Sequence, residues 1–247
     1  MEQAGNRLEH GVPASGITNM DCLGGDREMK KAYIFDLDGT IVDSLGAIAD
    51  CANFCLKEQG FMEHELEAYK EFIGDGQYEL IKRALRAAGD VNLEKYEVTM
   101  ARYIELFEHQ CHIGCEAYDG IKEMLSALKT QGVKLAVLSN KAHKNTIKVV
   151  EHVFGEHFFD VIQGQLEHVK RKPSPDGVFM IMEELGVIPE ECVYVGDTCV
   201  DMQTGKAAGI FTVGVTWGFR DKAELEAYHA DAIVDRVEDL LRYQNKQ

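Results

Sequence analysis

The feature that most constrains this chain is an alternation of short apolar runs with amphipathic stretches, beginning near Met29. "KAYIFD" reads as a buried strand. Downstream, "IKEMLSALKTQG" leads to "VKLAVLSN", "HKNTIKVVEHVF" to "FFDVIQG", "PDGVFMIMEELG" to "CVYVGD", and "VDMQTGKAAG" to "IFTVGV". "KAELEAY", "DAIVD" and a last helix close the chain. Helix and strand in strict turn predict an α/β fold, a Rossmann-like doubly wound parallel sheet with helices on both faces. The alternation is suspended once, after the first strand. Over 44–59, apolar residues recur at Leu45, Ile48, Ala49, Ala52 and Leu56, a helical period closed by Gly60. Helical stretches follow at about 64–72, 77–88 and 93–110. This block is read as an inserted all-helical cap, residues 45–115, with 29–44 and 116–247 forming the catalytic core. Residues 1–28, polar and Gly-rich without sustained periodicity, read as a mobile tail.

A length of 247 residues suits one large domain, or a domain with an insertion. The formal charge of −16 argues against nucleic acid and anionic membranes as partners. An anionic substrate would therefore need positive charge supplied locally, by a metal, a lysine or helix N-termini. Seven cysteines, an odd number, suggest reduced thiols and a cytoplasmic setting. No apolar run reaches the roughly 18–20 residues of a membrane span.

Ligands of such sheets bind beyond the carboxyl ends of the strands. Four of those ends carry reactive side chains. The first supplies Asp36 and Asp38, the next Ser139 and Asn140, a third is followed by Lys172 before "PSPDG", and a fourth opens "GDTCVD" with Asp197 and Asp201. Clustered carboxylates repel one another, and a divalent cation with a taste for oxygen, Mg²⁺ first, relieves the repulsion. Asp36 is placed to attack phosphorus, and Asp38 to protonate a leaving oxygen and then activate water. Ser139 and the N–H of Asn140 suit phosphoryl oxygens, and Lys172 the charge of the transition state. Lys170 is a rival for that last role. Ser174 and Pro175 suit a helix start that would fix the lysine. Thr40 is assigned to substrate binding.

"DLDGT", "LSN", "KPSPDG" and "GDTCVD", in this order and on these elements, resemble the four motifs of the haloacid dehalogenase superfamily. The resemblance implies a Rossmann-like core with a cap inserted after strand one, Mg²⁺, and phosphoryl transfer through an aspartyl-phosphate on Asp36. It implies Asp38 as acid/base. It also implies Asp36, the Asp38 carbonyl and Asp197 as metal ligands, with Asp201 auxiliary, turned toward the metal or Lys172. The second acid argues against a dehalogenase. The helical cap, "FIGDGQYELIKRAL" and "AAGIFTVGVTWGFR" are most similar to phosphoglycolate phosphatases, which implies a small phosphorylated metabolite as substrate. Gly205 departs from the family's usual alanine, and in an exposed helix it would cost about 1 kcal/mol.

The expectation is thus a Mg²⁺-dependent phosphatase of small phosphomonoesters, acting as a monomer or homodimer. The alternatives are a β-phosphoglucomutase-like phosphomutase, a pyrophosphatase or nucleotidase, and a phosphate-binding protein without turnover. In the resemblance the loop Gly74, Asp75, Gly76 dips toward the site and contacts substrate. Lys82, Arg83 and Arg86 of the cap are candidates for a substrate carboxylate, against ordinary surface solvation. "HQCHIGC" offers His109, Cys111, His112 and Cys115, and Cys51 and Cys55 lie one helical turn apart. Zinc is the sharp reading of that group; buried cysteines acting as small apolar residues is the plain one.

Overall fold

The computed structural model describes residues 29–245; the expected tail, residues 1–28, lies outside them. Six strands form one parallel sheet in the order β5–β4–β1–β6–β7–β8. They are β1 (Ala32–Phe35), β4 (Lys134–Ala142), β5 (Val161–Gln165), β6 (Cys192–Gly196), β7 (Phe211–Val215) and β8 (Ala232–Val234). Strand β1 is central, paired with β4 on one side and β6 on the other. Its four residues are fully buried and split between two cores, as a period of two requires. Ala32 and Ile34 face α7 (Asp176–Leu185), meeting Val178, Ile181 and Leu185. Tyr33 and Phe35 join the larger core with residues of α5 (Ile121–Thr130) and α6 (His143–Phe154). The expected doubly wound sheet is present.

Four helices come between β1 and α5: α1 (Leu45–Glu58), α2 (Ala68–Phe72), α3 (Gln77–Ala87) and α4 (Tyr96–Gln110). The chain leaves and re-enters the sheet through a two-stranded antiparallel ribbon, β2 (Val42–Asp43) on β3 (Glu116–Ala117). We propose this ribbon as the boundary between core and cap.

Two helices start later than their apolar pattern predicts, and side chains explain both. Ahead of α2, the Asn53 side chain accepts from His64 N at 2.8 Å and donates to His64 O at 2.9 Å. Those bonds hold the segment outside the helix. Ahead of α4, the Asp90 carboxylate accepts from Glu94 N and Lys95 N at 2.8 and 2.9 Å, and Leu93 takes a φ of 60°. A left-handed residue stops a helix from forming through it.

Gly205 is buried in α8 (Cys199–Ala207), not exposed. A Cβ there would come 2.1 Å from Thr212 Oγ1 on β7. The glycine lets the helix sit close to the sheet, which the sequence alone did not reveal.

Candidate active site

The order of the sheet sets the carboxyl ends of β4, β1 and β6 side by side, where the chain's connections diverge to opposite sides of β1. Asp36 continues the ladder for one residue, its N–H donating to Val195 O at 2.9 Å, so its side chain is held at the sheet's edge. Asp197 follows β6. Asp201 lies in the first turn of α8, whose N-cap Thr198 accepts from Asp201 N. Gly196 is required here, since a Cβ would meet the Asp201 Cβ at 2.3 Å. The result is three buried carboxylates, Asp36, Asp197 and Asp201, each with a ligand atom within 4.8 Å of the others.

Burial above all, then Asp201, pushes the Asp36 carboxyl well above the usual carboxylate range; Lys172 opposes the rise and Asp197 adds to it. Asp197 is pushed up to about 7, first by burial and then by Asp201. Carboxylates so crowded call for a cation.

The three acids are not equivalent. Asp201 Oδ1 accepts from Lys172 Nζ at 2.8 Å and from the Tyr194 hydroxyl at 3.2 Å. Its Oδ2 accepts from Thr198 N at 3.1 Å and Thr198 Oγ1 at 2.7 Å. All four lone-pair directions of that carboxylate are in use. Among the described residues Asp197 accepts two bonds, from Thr40 Oγ1 at 3.0 Å and Phe219 N at 2.7 Å. The donor set therefore fits a hard divalent cation, with Asp36 and Asp197 open to it. Asp201 acts on Lys172.

Lys172 is 4% exposed and also pairs with Asp36 Oδ1 at 2.7 Å. Burial pulls its ammonium down, but Asp201 and Asp36 outweigh burial and leave its pKa well above the ordinary value. Its backbone is bracketed by one side chain: Asn140 Oδ1 accepts from Lys172 N at 2.8 Å, and Asn140 Nδ2 donates to Lys172 O at 3.1 Å. The rival Lys170 is exposed. Ser174 sits one residue before the N-cap Pro175 rather than at it, and its hydroxyl donates to Asp176 Oδ1 at 2.7 Å.

A pocket lies between the strand ends and the cap. Asp36, Asp38, Ser139, Asn140 and Lys172 line its core side, and Ile48, Ile73, Leu80, Tyr103 and Phe107 its cap side, with Gly74 and Gly76 at the loop. Two expected substrate contacts are not on this wall. Thr40 is fully buried behind Asp197 and its hydroxyl is committed to that carboxylate. Asp75 pairs with Arg83, and its carbonyl accepts from Arg171 at 3.0 Å. In this structure both are engaged by protein partners, Thr40 by Asp197 and Asp75 by Arg83 and Arg171. Arg86 is exposed and Lys82 pairs with Glu79 at 2.8 Å, so neither cation joins the pocket.

Two groups escaped the sequence reading. Lys141 is 7% exposed, lines the pocket and pairs with Asp38 Oδ1, which also accepts from Ser44 Oγ. The signal was present as the residue after "LSN", but the strand was ended at Asn140, whereas β4 runs to Ala142. The second is a set of core donors on cap carbonyls. Arg220 donates to Lys70 O and, at 3.1 Å, to Ile73 O, while Asn140 Nδ2 reaches Gly74 O at 3.0 Å.

The cysteines follow the plain reading. Cys51, Cys55, Cys111 and Cys115 are buried in the main core, and among the described residues they form no metal cluster. Burial pushes the Cys51 and Cys115 thiols up to about 12.

A family model described as haloacid dehalogenase-like hydrolase matches residues 33–215, well over half of the chain. The chain belongs to the haloacid dehalogenase-like hydrolases. Among curated relatives, the phosphoglycolate phosphatase of Aquifex aeolicus is 34% identical over 86% of this chain and 95% of its own length. That of Nitrosospira multiformis is 32% identical over 83% and 91%. Among solved structures, a protein of Lactobacillus delbrueckii subsp. bulgaricus superposes with a TM-score of 0.80 at 30% identity, covering 89% of this chain and 100% of its own. In this hydrolase family the four motifs thus coincide with the carboxylates, hydroxyl and lysine that the sheet brings together. Among the described residues no helix is long and apolar enough to cross a membrane.

Proposed function

We propose that this hydrolase is a phosphatase of small phosphomonoesters, of the phosphoglycolate type, that works in the cytoplasm with Mg²⁺. The observation that carries the reading is the Asp36, Lys172 and Asp201 chain at the strand ends, with Asp38 beside it in a pocket walled by the cap. Curated relatives at 30% identity or more bear the name phosphoglycolate phosphatase.

Asp36 attacks the phosphorus, the ester bond to the leaving oxygen breaks, and an aspartyl-phosphate forms. Asp38 gives a proton to the departing alkoxide, then takes one from the water that cleaves the phosphoenzyme. Lys172, held by Asp201 and Asn140, balances charge on the phosphoryl oxygens, and Ser139 supplies a hydroxyl there. Asp36 and Asp197 would hold the cation, which when bound supplies further positive charge at the phosphoryl group. Thr40 and the Phe219 N–H fix the Asp197 carboxylate for that role. Apolar cap residues such as Leu80 and Phe107 keep water from the reacting atoms.

The test is phosphate release from 2-phosphoglycolate by the purified chain. Activity must disappear in EDTA and return with Mg²⁺, and Asp36→Asn should lower kcat by about 10³-fold or more, as loss of a nucleophile does. Turnover of Asp36→Asn at the wild-type rate would remove the scheme.

A further inference from the structure

The pocket wall carries two cations, Lys172 and Lys141. Lys172 is committed to Asp36 and Asp201, at 2.7 and 2.8 Å. The proposed reaction makes no use of Lys141, although a lysine this deeply buried is rare without a purpose or a partner. The one hydrogen-bond acceptor of its ammonium among the described residues is Asp38 Oδ1, and the ammonium lies 5.4 Å from the centre of the Phe107 ring. Two of its three N–H donors are therefore without an acceptor in this structure.

The position is informative. Lys141 and Ser44 both bind Asp38 Oδ1, and Oδ2 receives no hydrogen bond from a described residue. One carboxylate oxygen is thus tied to the lysine, and the other is available to the leaving oxygen of a substrate. Any group that sits on the leaving oxygen and also touches Lys141 must be short. The cap side of the pocket is mostly apolar, with Ile48, Leu80, Tyr103 and Phe107, and Gln77 is its polar exception. A second negative charge entering there is costly unless it is paired, and there the attraction to an ammonium is strong.

We propose that Lys141 is the residue that reads the leaving group of such a substrate, pairing with the carboxylate attached to the carbon that bears the leaving oxygen. This rests on the phosphatase reading and assigns the residue that selects the substrate within it. A neutral alcohol of equal length leaves the ammonium with Asp38 alone and forfeits the pairing. A long sugar phosphate carries its second charge too far from the leaving oxygen to reach it.

The experiment compares kcat/KM for 2-phosphoglycolate and for 2-hydroxyethyl phosphate, which has the same length and lacks the carboxylate. The wild type should favour the former by about tenfold or more, the scale on which unpaired groups are rejected. Lys141→Met disturbs Asp38 and should slow both substrates, but the preference itself should collapse toward one, chiefly through KM. Lys141→Arg should keep most of the preference. A wild type without preference overturns the proposal, as does a Lys141→Met protein in which both substrates fall equally and the preference stands. Should Lys141→Met fail to fold, Lys141→Gln replaces it and is read in the same way. Release of phosphate from neither ester by the wild type would instead strike at the phosphatase reading itself.

Discussion

At the scale of the residue, the site is a balance of buried like charges. Asp197 illustrates the cost. Its carboxyl is pushed from the usual 3.8 to about 7 in the folded protein without a cation, so the fold retains its proton more tightly than the unfolded chain does. A raised carboxyl supports the fold fully below the unfolded pKa, and that support is lost as pH climbs through the folded value. In EDTA, Asp197→Asn should therefore gain melting temperature relative to the wild type as pH rises from about 4 to about 7. Added Mg²⁺ should stabilise the wild type more at pH 8 than at pH 5, and should do little for Asp197→Asn. Thermal melts across pH, with and without the metal, measure this; parallel curves for the two proteins would show that Asp197 does not carry the strain.

At the scale of the element, the contact between α8 and β7 explains a residue that sequence reasoning left without a role. Gly205 leaves no space for a methyl group against Thr212, with Oγ1 at 2.1 Å and Cγ2 at 3.0 Å from an added Cβ. Helix propensity favours alanine by about 1 kcal/mol, whereas forcing an atom into a packed interface costs about 1–3 kcal/mol. Overpacking should win. Gly205→Ala is expected to lower stability in chemical denaturation, and Thr212→Ala in the same protein should recover part of the loss. A Gly205→Ala protein as stable as the wild type would mean that α8 shifts freely. The helix matters for function because its first turn carries Asp201, which orients Lys172.

At the scale of the whole molecule, the cap is held over the sheet by donors of the core. Arg220, Asn140 and Arg171 all donate to backbone carbonyls between Lys70 and Asp75, and Arg220 is anchored in turn by Glu224 at 3.3 Å. Backbone acceptors are indifferent to the side chains of the loop, so the latch works through the path of the chain. Asn140 links the latch to the chemistry, because the same amide brackets Lys172. Replacing Arg220 with Ala should speed amide hydrogen exchange over residues 68–77 severalfold, leave the exchange of β1 and β6 unchanged, and raise KM more than it lowers kcat. Unchanged exchange in that segment would show that Arg220 does not hold the cap.

Much of this was legible beforehand, for a physical reason in each case. A strand buried on both faces must be apolar throughout, and helices that cover it must be amphipathic, so "YIF" and "VYV" announce the sheet wherever they occur. Ligands of such sheets bind beyond the strands' carboxyl ends, so Asp36 and Asp197, directly after β1 and β6, were readable by position as candidates. What a side chain touches was not readable, because contacts are made between segments far apart in the chain. Thr40 serves Asp197 across 157 residues, Lys141 meets Asp38 across 103, and Gly205 answers to a threonine on the neighbouring strand. The sequence by itself determined the layers of the fold and the family's reactive groups. Only the tertiary structure decided which acid holds Lys172, which acid pairs with Lys141, and which of the carboxylates keeps lone pairs without a protein donor, because each of those contacts joins segments far apart in the chain.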